Sequence, residues 1–215
     1  MKTKILSICG SAVFLILFSC NDKGKDCPET PPLREGIITA EEQAALTPDA
    51  VIKSLKEGNA LFVANNITAR DHSAMVRNAV QGQFPKAVIL SCLDSRIPVE
   101  DVFNKGIGDL FVGRVAGNFA NTDLLGSMEF GCKLMGAKVV IVLGHESCGA
   151  ITSAINNNVT LGNLPAMLEN IRPAVTNSQD FSGDKTSANK EFVAYVSKNN
   201  VLNTIKVIRE KSPTL

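Results

Sequence analysis

The sequence predicts an α/β domain built on a central parallel β-sheet flanked by helices, with a helical arm ahead of it. Three observations carry the prediction. Apolar runs of strand length recur at residues 87–90, 110–115 and 139–143, the last an unbroken Val-Val-Ile-Val-Leu. Between the second and third runs, Leu125, Met128, Cys132 and Met135 recur at spacings of three and four, which predicts a helix over 123–135. The resulting order of strand, connection, strand, helix, strand is that of a parallel sheet, whose ligands sit beyond the carboxyl ends of its strands.

From the amino terminus, Lys2 and Lys4 precede an apolar stretch over 5–18 that ends at Ser19, the charged, apolar, small-residue order of an export signal. The stretch is shorter than the ~20 apolar residues a bilayer-spanning helix needs. Leu17-Phe18-Ser19-Cys20 resembles a bacterial lipoprotein signal, with Phe18 larger than is usual at its position. Cys20 is therefore expected to be lipidated and to become the first residue of the mature chain; the alternative is an ordinary secretory signal that stops at a cysteine. The protein is then exported and lipid-anchored to a bacterial membrane, on its periplasmic or cell-surface side. Residues 20–46 are polar, carry Asp22, Lys23, Lys25 and Asp26 and a Pro28, Pro31, Pro32 cluster, and read as a flexible tether. The folded domain is expected over 47–215. Thr47-Pro48-Asp49 supplies a capping hydroxyl and a proline at the first helical position, with Ile52, Leu55 and Phe62 following on one face, so a helix starts there, weakened at Gly58. A last helix is expected over 189–209, with Phe192, Val196, Ile205 and Ile208 as its apolar side.

Composition removes several functions. The 215 residues, 45% of them hydrophobic, suffice for one substantial core but would cramp two domains. Twenty-two basic residues against 21 acidic ones give a formal charge of +1, with no basic run to track a phosphate backbone, so no nucleic-acid partner is expected. Six cysteines are too few for a disulfide-dense scaffold, and two histidines exclude a mechanism needing several imidazoles.

The chemistry lies just past two strands. Ser91-Cys92-Leu93-Asp94-Ser95-Arg96 follows the first, and Gly144-His145-Glu146-Ser147-Cys148-Gly149 follows the third. Two thiolates and an imidazole are ligands that zinc prefers, and three protein ligands leave a fourth position for water, as in a catalytic site. Cys132, on the apolar side of its helix, reads as core; Cys27 as a spare thiol; His72, among Arg70, Asp71 and Ser73, as solvated surface. Gly106, Gly108 and Gly113 precede a strand instead of following one, so they form no dinucleotide loop.

Together these residues resemble the β-class carbonic anhydrases. The resemblance rests on Leu55-Lys56-Glu57-Gly58-Asn59 with Phe62, Gly82-Gln83-Phe84-Pro85, the Cys92 segment, Gly108-Asp109-Leu110-Phe111-Val112 through Arg114-Val115-Ala116-Gly117-Asn118, and Gly144-His145 to Cys148-Gly149-Ala150. It implies Cys92, His145 and Cys148 as ligands of one Zn²⁺ per chain, and Asp94 and Arg96 as a catalytic dyad beside the zinc-bound water, with Asp94 able to swing onto the metal in a closed state. It implies Gln83 as a substrate contact, usually across a dimer interface, and Phe111, Ala116 and Phe130 as the lining of an apolar pocket. The activity implied is reversible hydration of CO₂ to bicarbonate and a proton by zinc-bound hydroxide, in a homodimer or dimer of dimers. The alternatives are a CS₂-hydrolysing relative and a non-catalytic zinc-binding module tethered to the membrane. Leu93 departs from the serine common in the family. Members also continue past the equivalent of Ser212-Pro213-Thr214-Leu215 into further strands, so the last strands are expected to be missing, by truncation or in a sheet reduced to three strands with an uncovered edge.

Overall fold

A computed structural model describes residues 33–215. The export signal, Cys20 and Cys27 lie outside the described residues. In chain order the elements are α1 Ala40–Ala45, α2 Pro48–Val63, α3 His72–Ala79, β1 Ala87–Ser91, α4 Val99–Val102, β2 Leu110–Arg114 and α5 Thr122–Glu129. After a π-helical turn at Phe130–Leu134 come β3 Val139–Leu143, α6 Gly149–Asn156, α7 Leu164–Leu168, α8 Arg172–Thr176 and α9 Lys190–Lys211. The sheet is parallel in the order β2-β1-β3, with Ile89 of β1 in register with Val112 and Ile141. All three expected strands form, and the central parallel sheet flanked by helices is the architecture the apolar runs predicted.

Strand β1 is buried on both faces, as a central parallel strand must be. Val88 and Leu90 pack against α5 and Ile208 of α9, while Ala87 and Ile89 pack against Val51 and Leu55 of α2 and Val99 of α4. Fully burying a side chain such as Ile89 or Leu90 stabilises the fold by about 1.5–3 kcal/mol, so the strand that leads into Cys92 is the most firmly held in the sheet. A third apolar cluster lies past the carboxyl ends of the strands and joins Ile151 of α6, Leu168 of α7, Ile171, and Phe192 and Val196 of α9 to Cys92 and Cys148. The outer strand β3 is half-buried along its length. No helix among the described residues is long and apolar enough to cross a membrane.

Four expectations need correction. Residues 33–46, read as tether, are structured. Arg34 pairs in parallel with Arg70, Thr39 and Glu42 close a capping box on α1, and buried Gln43 donates Nε2 to the carbonyls of Pro85 (2.6 Å) and Met135 (2.9 Å). Polar composition there serves long-range hydrogen bonding. Gly58 is a packing point instead of a weakness: a Cβ on it would sit 1.9 Å from the Phe103 carbonyl oxygen, so its absence lets α4 approach α2, where Asn59 Nδ2 caps the Val102 carbonyl at 3.0 Å. The helix over 123–135 is α-helical only to Glu129 and then widens into the π turn. In α9 the buried stripe is Phe192, Val196, Asn200, Thr204 and Ile208, and Ile205 is only half-buried.

Candidate metal centre

The first ligand loop is an extension of the sheet. Val115 N–H donates to the Ser91 carbonyl (3.1 Å) and Leu93 N–H to the Val115 carbonyl (3.2 Å), so β1 and β2 stay paired past Cys92. Arg114 at the end of β2 donates Nε to the Cys92 carbonyl (2.9 Å) and Nη2 to the Asp94 carbonyl. The second loop leaves β3 at Gly144, where a Cβ would meet Val201 of α9 at 2.7 Å. It then turns through Ser147, at φ 54°, to place Cys148 at the N-cap of α6.

The two loops bring Cys92, His145 and Cys148 together, with their ligand atoms within 4.8 Å of one another. The sulfurs are 3.7 Å apart. Two thiolates on a tetrahedral zinc, at about 2.3 Å each, would be separated by about 3.8 Å, so the pair already has the spacing of one edge of that tetrahedron. His145 Nδ1 is 2.8 Å from the Glu146 carbonyl, which selects the tautomer with hydrogen on Nδ1. Its Nε2 is buried without a partner, a lone pair left for a ligand. The donor set therefore fits zinc.

The two sulfurs share a hydrogen bond. The Cys148 thiol is pulled down to about 5 by its hydrogen bond with Cys92 and by the N–H groups of Ile151 and Ala150 in the first turn of α6, against the effect of burial. The shared hydrogen bond and burial push the Cys92 thiol up. Beside them, Asp94 accepts from Arg96 through Oδ1 (N–H 2.8 Å, Nε 2.9 Å) and Oδ2 (Nη2 2.6 Å), and Arg96 Nη2 also reaches the Ser147 carbonyl at 3.2 Å. These bonds hold the Asp94 carboxyl well below the usual carboxylate range. Asp94 Oδ2 lies 3.7 Å from His145 Nε2. Its carboxylate thus faces the ligand group while staying in the grip of Arg96.

Comparison with known proteins agrees with this constellation. The carbonic anhydrase family model matches residues 87–215, from β1 through both ligand loops. The chain belongs to the β-carbonic anhydrase family. It is 40% identical over 133 residues to carbonic anhydrase 2 of Mycobacterium tuberculosis, covering 60% of this chain and 64% of that protein. It is 35% identical to the carbonic anhydrase of Mycolicibacterium smegmatis, covering 60% and 65%. The chain thus spans just under two thirds of these curated relatives. Among solved β-carbonic anhydrases, CafA of Aspergillus fumigatus superposes with a TM-score of 0.56 at 26% identity, covering 76% of each chain. One of two tetrameric enzymes from Sordaria macrospora superposes at 0.57 and 22%, covering 77% of this chain and 86% of that one, a likeness of fold.

The remaining residues that the β-carbonic anhydrase resemblance singled out are dispersed within one chain. Gln83 is exposed and precedes β1, so the whole strand separates it from Cys92. The Phe111 and Phe130 rings lie 6.4 Å apart and line a cavity of about 700 Å³ on the β2 side, together with Val88, Leu90, Gly113 and Leu124. None of the three metal-site ligands, nor Ala116, lines it. Ala116 instead follows β2 beside Gly117, whose N–H donates to Cys92 Sγ at 3.2 Å. His72 is exposed at the start of α3, as expected. Sequence reasoning assigned no role to Arg114 or Gly117. The available signal was an arginine at a strand end followed by a glycine, in a segment paired with the cysteine loop.

Proposed function

We propose that this chain catalyses the reversible hydration of CO₂ to bicarbonate and a proton, with one Zn²⁺ held by Cys92, His145 and Cys148. The observation that carries the reading is the 3.7 Å sulfur pair beside a buried, unpartnered His145 Nε2, faced by an ionised Asp94. When bound, zinc supplies Lewis-acid activation of water as a nucleophile at neutral pH. The chain's residues orient the reaction. Asp94, kept ionised by Arg96, can only accept hydrogen bonds, so its Oδ2 takes one from the attacking water and leaves an oxygen lone pair directed at the carbon of CO₂. Arg96, tied to Ser147, couples this carboxylate to the second ligand loop. The Glu146 carbonyl holds the His145 proton on Nδ1 and keeps Nε2 for the metal. CO₂ is small and apolar, and Ala116 precedes Gly117, whose N–H reaches Cys92 Sγ, which supports its place in the substrate's approach.

Gln83 lies beyond the opposite end of β1 from the metal site, which favours its entering the site of a second copy, in a homodimer or dimer of dimers. Zinc content and stopped-flow CO₂ hydration of the soluble domain should show one zinc per chain with activity, and Cys148→Ser should lose both. Zinc without hydration in the unsubstituted protein would favour the non-catalytic module. The Lys2, Lys4, apolar and Cys20 order supports export and lipid anchoring, on the periplasmic or cell-surface side. The full chain should then sediment with membranes and Cys20→Ala should not; equal partition of the two would remove the anchor.

A further inference from the structure

The polar break in the buried stripe of α9 has a partner at the metal centre. Asn200 and Thr204 are 0% and 1% exposed in a row otherwise made of Phe192, Val196 and Ile208. A leucine at position 200 would continue the stripe without removing an amide from water. Asn200 instead sends Nδ2 across 83 residues to the Gly117 carbonyl, at 2.7 Å. Its Oδ1 has no partner, so this bond is the one satisfaction the amide receives.

Gly117 is held from three sides. Its carbonyl accepts from Asn200, its N–H donates to Cys92 Sγ at 3.2 Å, and its φ is +84°, a region that favours glycine. A Cβ there would fall 2.3 Å from Ile171 Cδ1, so the apolar cluster closes on it as well. The backbone at 117 has little freedom to re-aim its N–H while Asn200 stays in place.

Building on the zinc reading above, we propose that Asn200 is a positioning residue for the metal centre: by pinning Gly117 it aims the Gly117 N–H at Cys92 Sγ and so sets how that sulfur binds zinc. A hydrogen bond to a ligating thiolate fixes its orientation and draws off part of its charge. In a site where two thiolates cancel the charge of the ion, that withdrawal leaves the metal more electrophilic. Asn200 touches neither substrate nor metal and acts through the glycine alone. Thr204, one turn further along the same stripe, has a buried hydroxyl with no partner and serves as the internal control.

The test compares Asn200→Leu with Thr204→Val in the full chain. Zinc affinity is read by competition with a chromophoric chelator, and thiolate donation by the sulfur-to-metal charge-transfer band of the Co²⁺-substituted protein. Asn200→Leu should weaken zinc binding by about tenfold, at the low end for outer-shell partners, and shift the cobalt band. Thr204→Val should change neither. If Asn200→Leu does not fold, Asn200→Ser, which is smaller and polar but too short to reach Gly117, is read in the same way. A folded position-200 variant with zinc affinity within about twofold of the unsubstituted protein and a superimposable cobalt spectrum would overturn the inference while leaving the metal centre standing. Failure of the unsubstituted protein to bind zinc would strike down the metal reading first, and this inference with it.

Discussion

Two forked arginine–aspartate pairs stand at opposite ends of the sheet with nearly the same closest approach. Arg34 and Asp109, ahead of β2, approach to 2.7 Å; Arg96 and Asp94, beyond β1, approach to 2.6 Å. Their surroundings differ. The Asp109 side chain is 1% exposed and also receives Lys86 Nζ at 2.9 Å and the Gly106 N–H at 2.7 Å. Close by, buried Lys105 donates to the Ser54 carbonyl and hydroxyl, and Arg70 binds the Lys105 carbonyl and Asp101. At the amino end, these charged groups are already engaged within the protein. Beyond the carboxyl ends, the Arg96 side chain is 61% exposed, and the neighbouring sulfurs and His145 Nε2 retain ligand capacity. Nearly equal contact distances thus accompany unequal surroundings: one pair fastens the arm to the sheet, and under the proposed function the other orients the reaction.

The largest effect on stability should come from Asp109→Asn. Removing one partner of a buried ion pair leaves the other uncompensated, typically costing about 3–5 kcal/mol. Arg34 and Lys86 keep some exposure and can partly hydrate, which places the loss at about 3 kcal/mol in denaturant unfolding. Zinc affinity of the folded variant should be unchanged. The same residue sets an acid limb. Burial pushes the Asp109 carboxyl up, but Arg34, Lys86 and the Gly106 N–H outweigh it and hold the group below its ordinary value. Its contribution is thus present above the unfolded pKa of ~3.9 and is lost as pH falls through the lower folded one. Melting temperatures recorded from neutral pH into acid should fall less steeply for Asp109→Asn than for the unsubstituted chain. Parallel curves would mean that this pair does not fasten the arm.

The contrast also explains what could be read from sequence. Cys92, His145 and Cys148 were legible because a strand signal precedes each loop and the residue types carry their own chemistry. Strand β3 was legible to its last residue because Val139–Leu143 is an unbroken apolar run. The amino-end network was not. Gln43 and Arg34 bind backbone and side chains more than forty residues away, and such contacts leave no periodicity in the chain. Asn200 broke the apolar pattern of its helix, but only the fold reveals that Gly117 is what it reaches. The π turn after Glu129 was hidden for a related reason: spacings of three and four persist in Cys132 and Met135 although the backbone beneath them widens.

The smallest effect on stability, and the sharpest separation of the two ends, is expected from Arg96→Gln. Arg96 reaches Asp94 from the solvent side with most of its own side chain exposed, and ion pairs open to water on one side contribute little because water screens them and side-chain ordering opposes them. The melting temperature should therefore stay close to that of the unsubstituted protein. Hydration should nevertheless fall by about 10–100-fold, the usual cost of losing a group that orients the reacting shell. Glutamine can still donate to one Asp94 oxygen, but it cannot fork across both or reach the Ser147 carbonyl at the same time. The carboxylate then loses its fixed bearing on the ligand group while the core beneath it is untouched. If Arg96→Gln instead lowered the melting temperature as far as Asp109→Asn does, the dyad would be a structural clamp like its counterpart, and the division of labour between the two ends would fail.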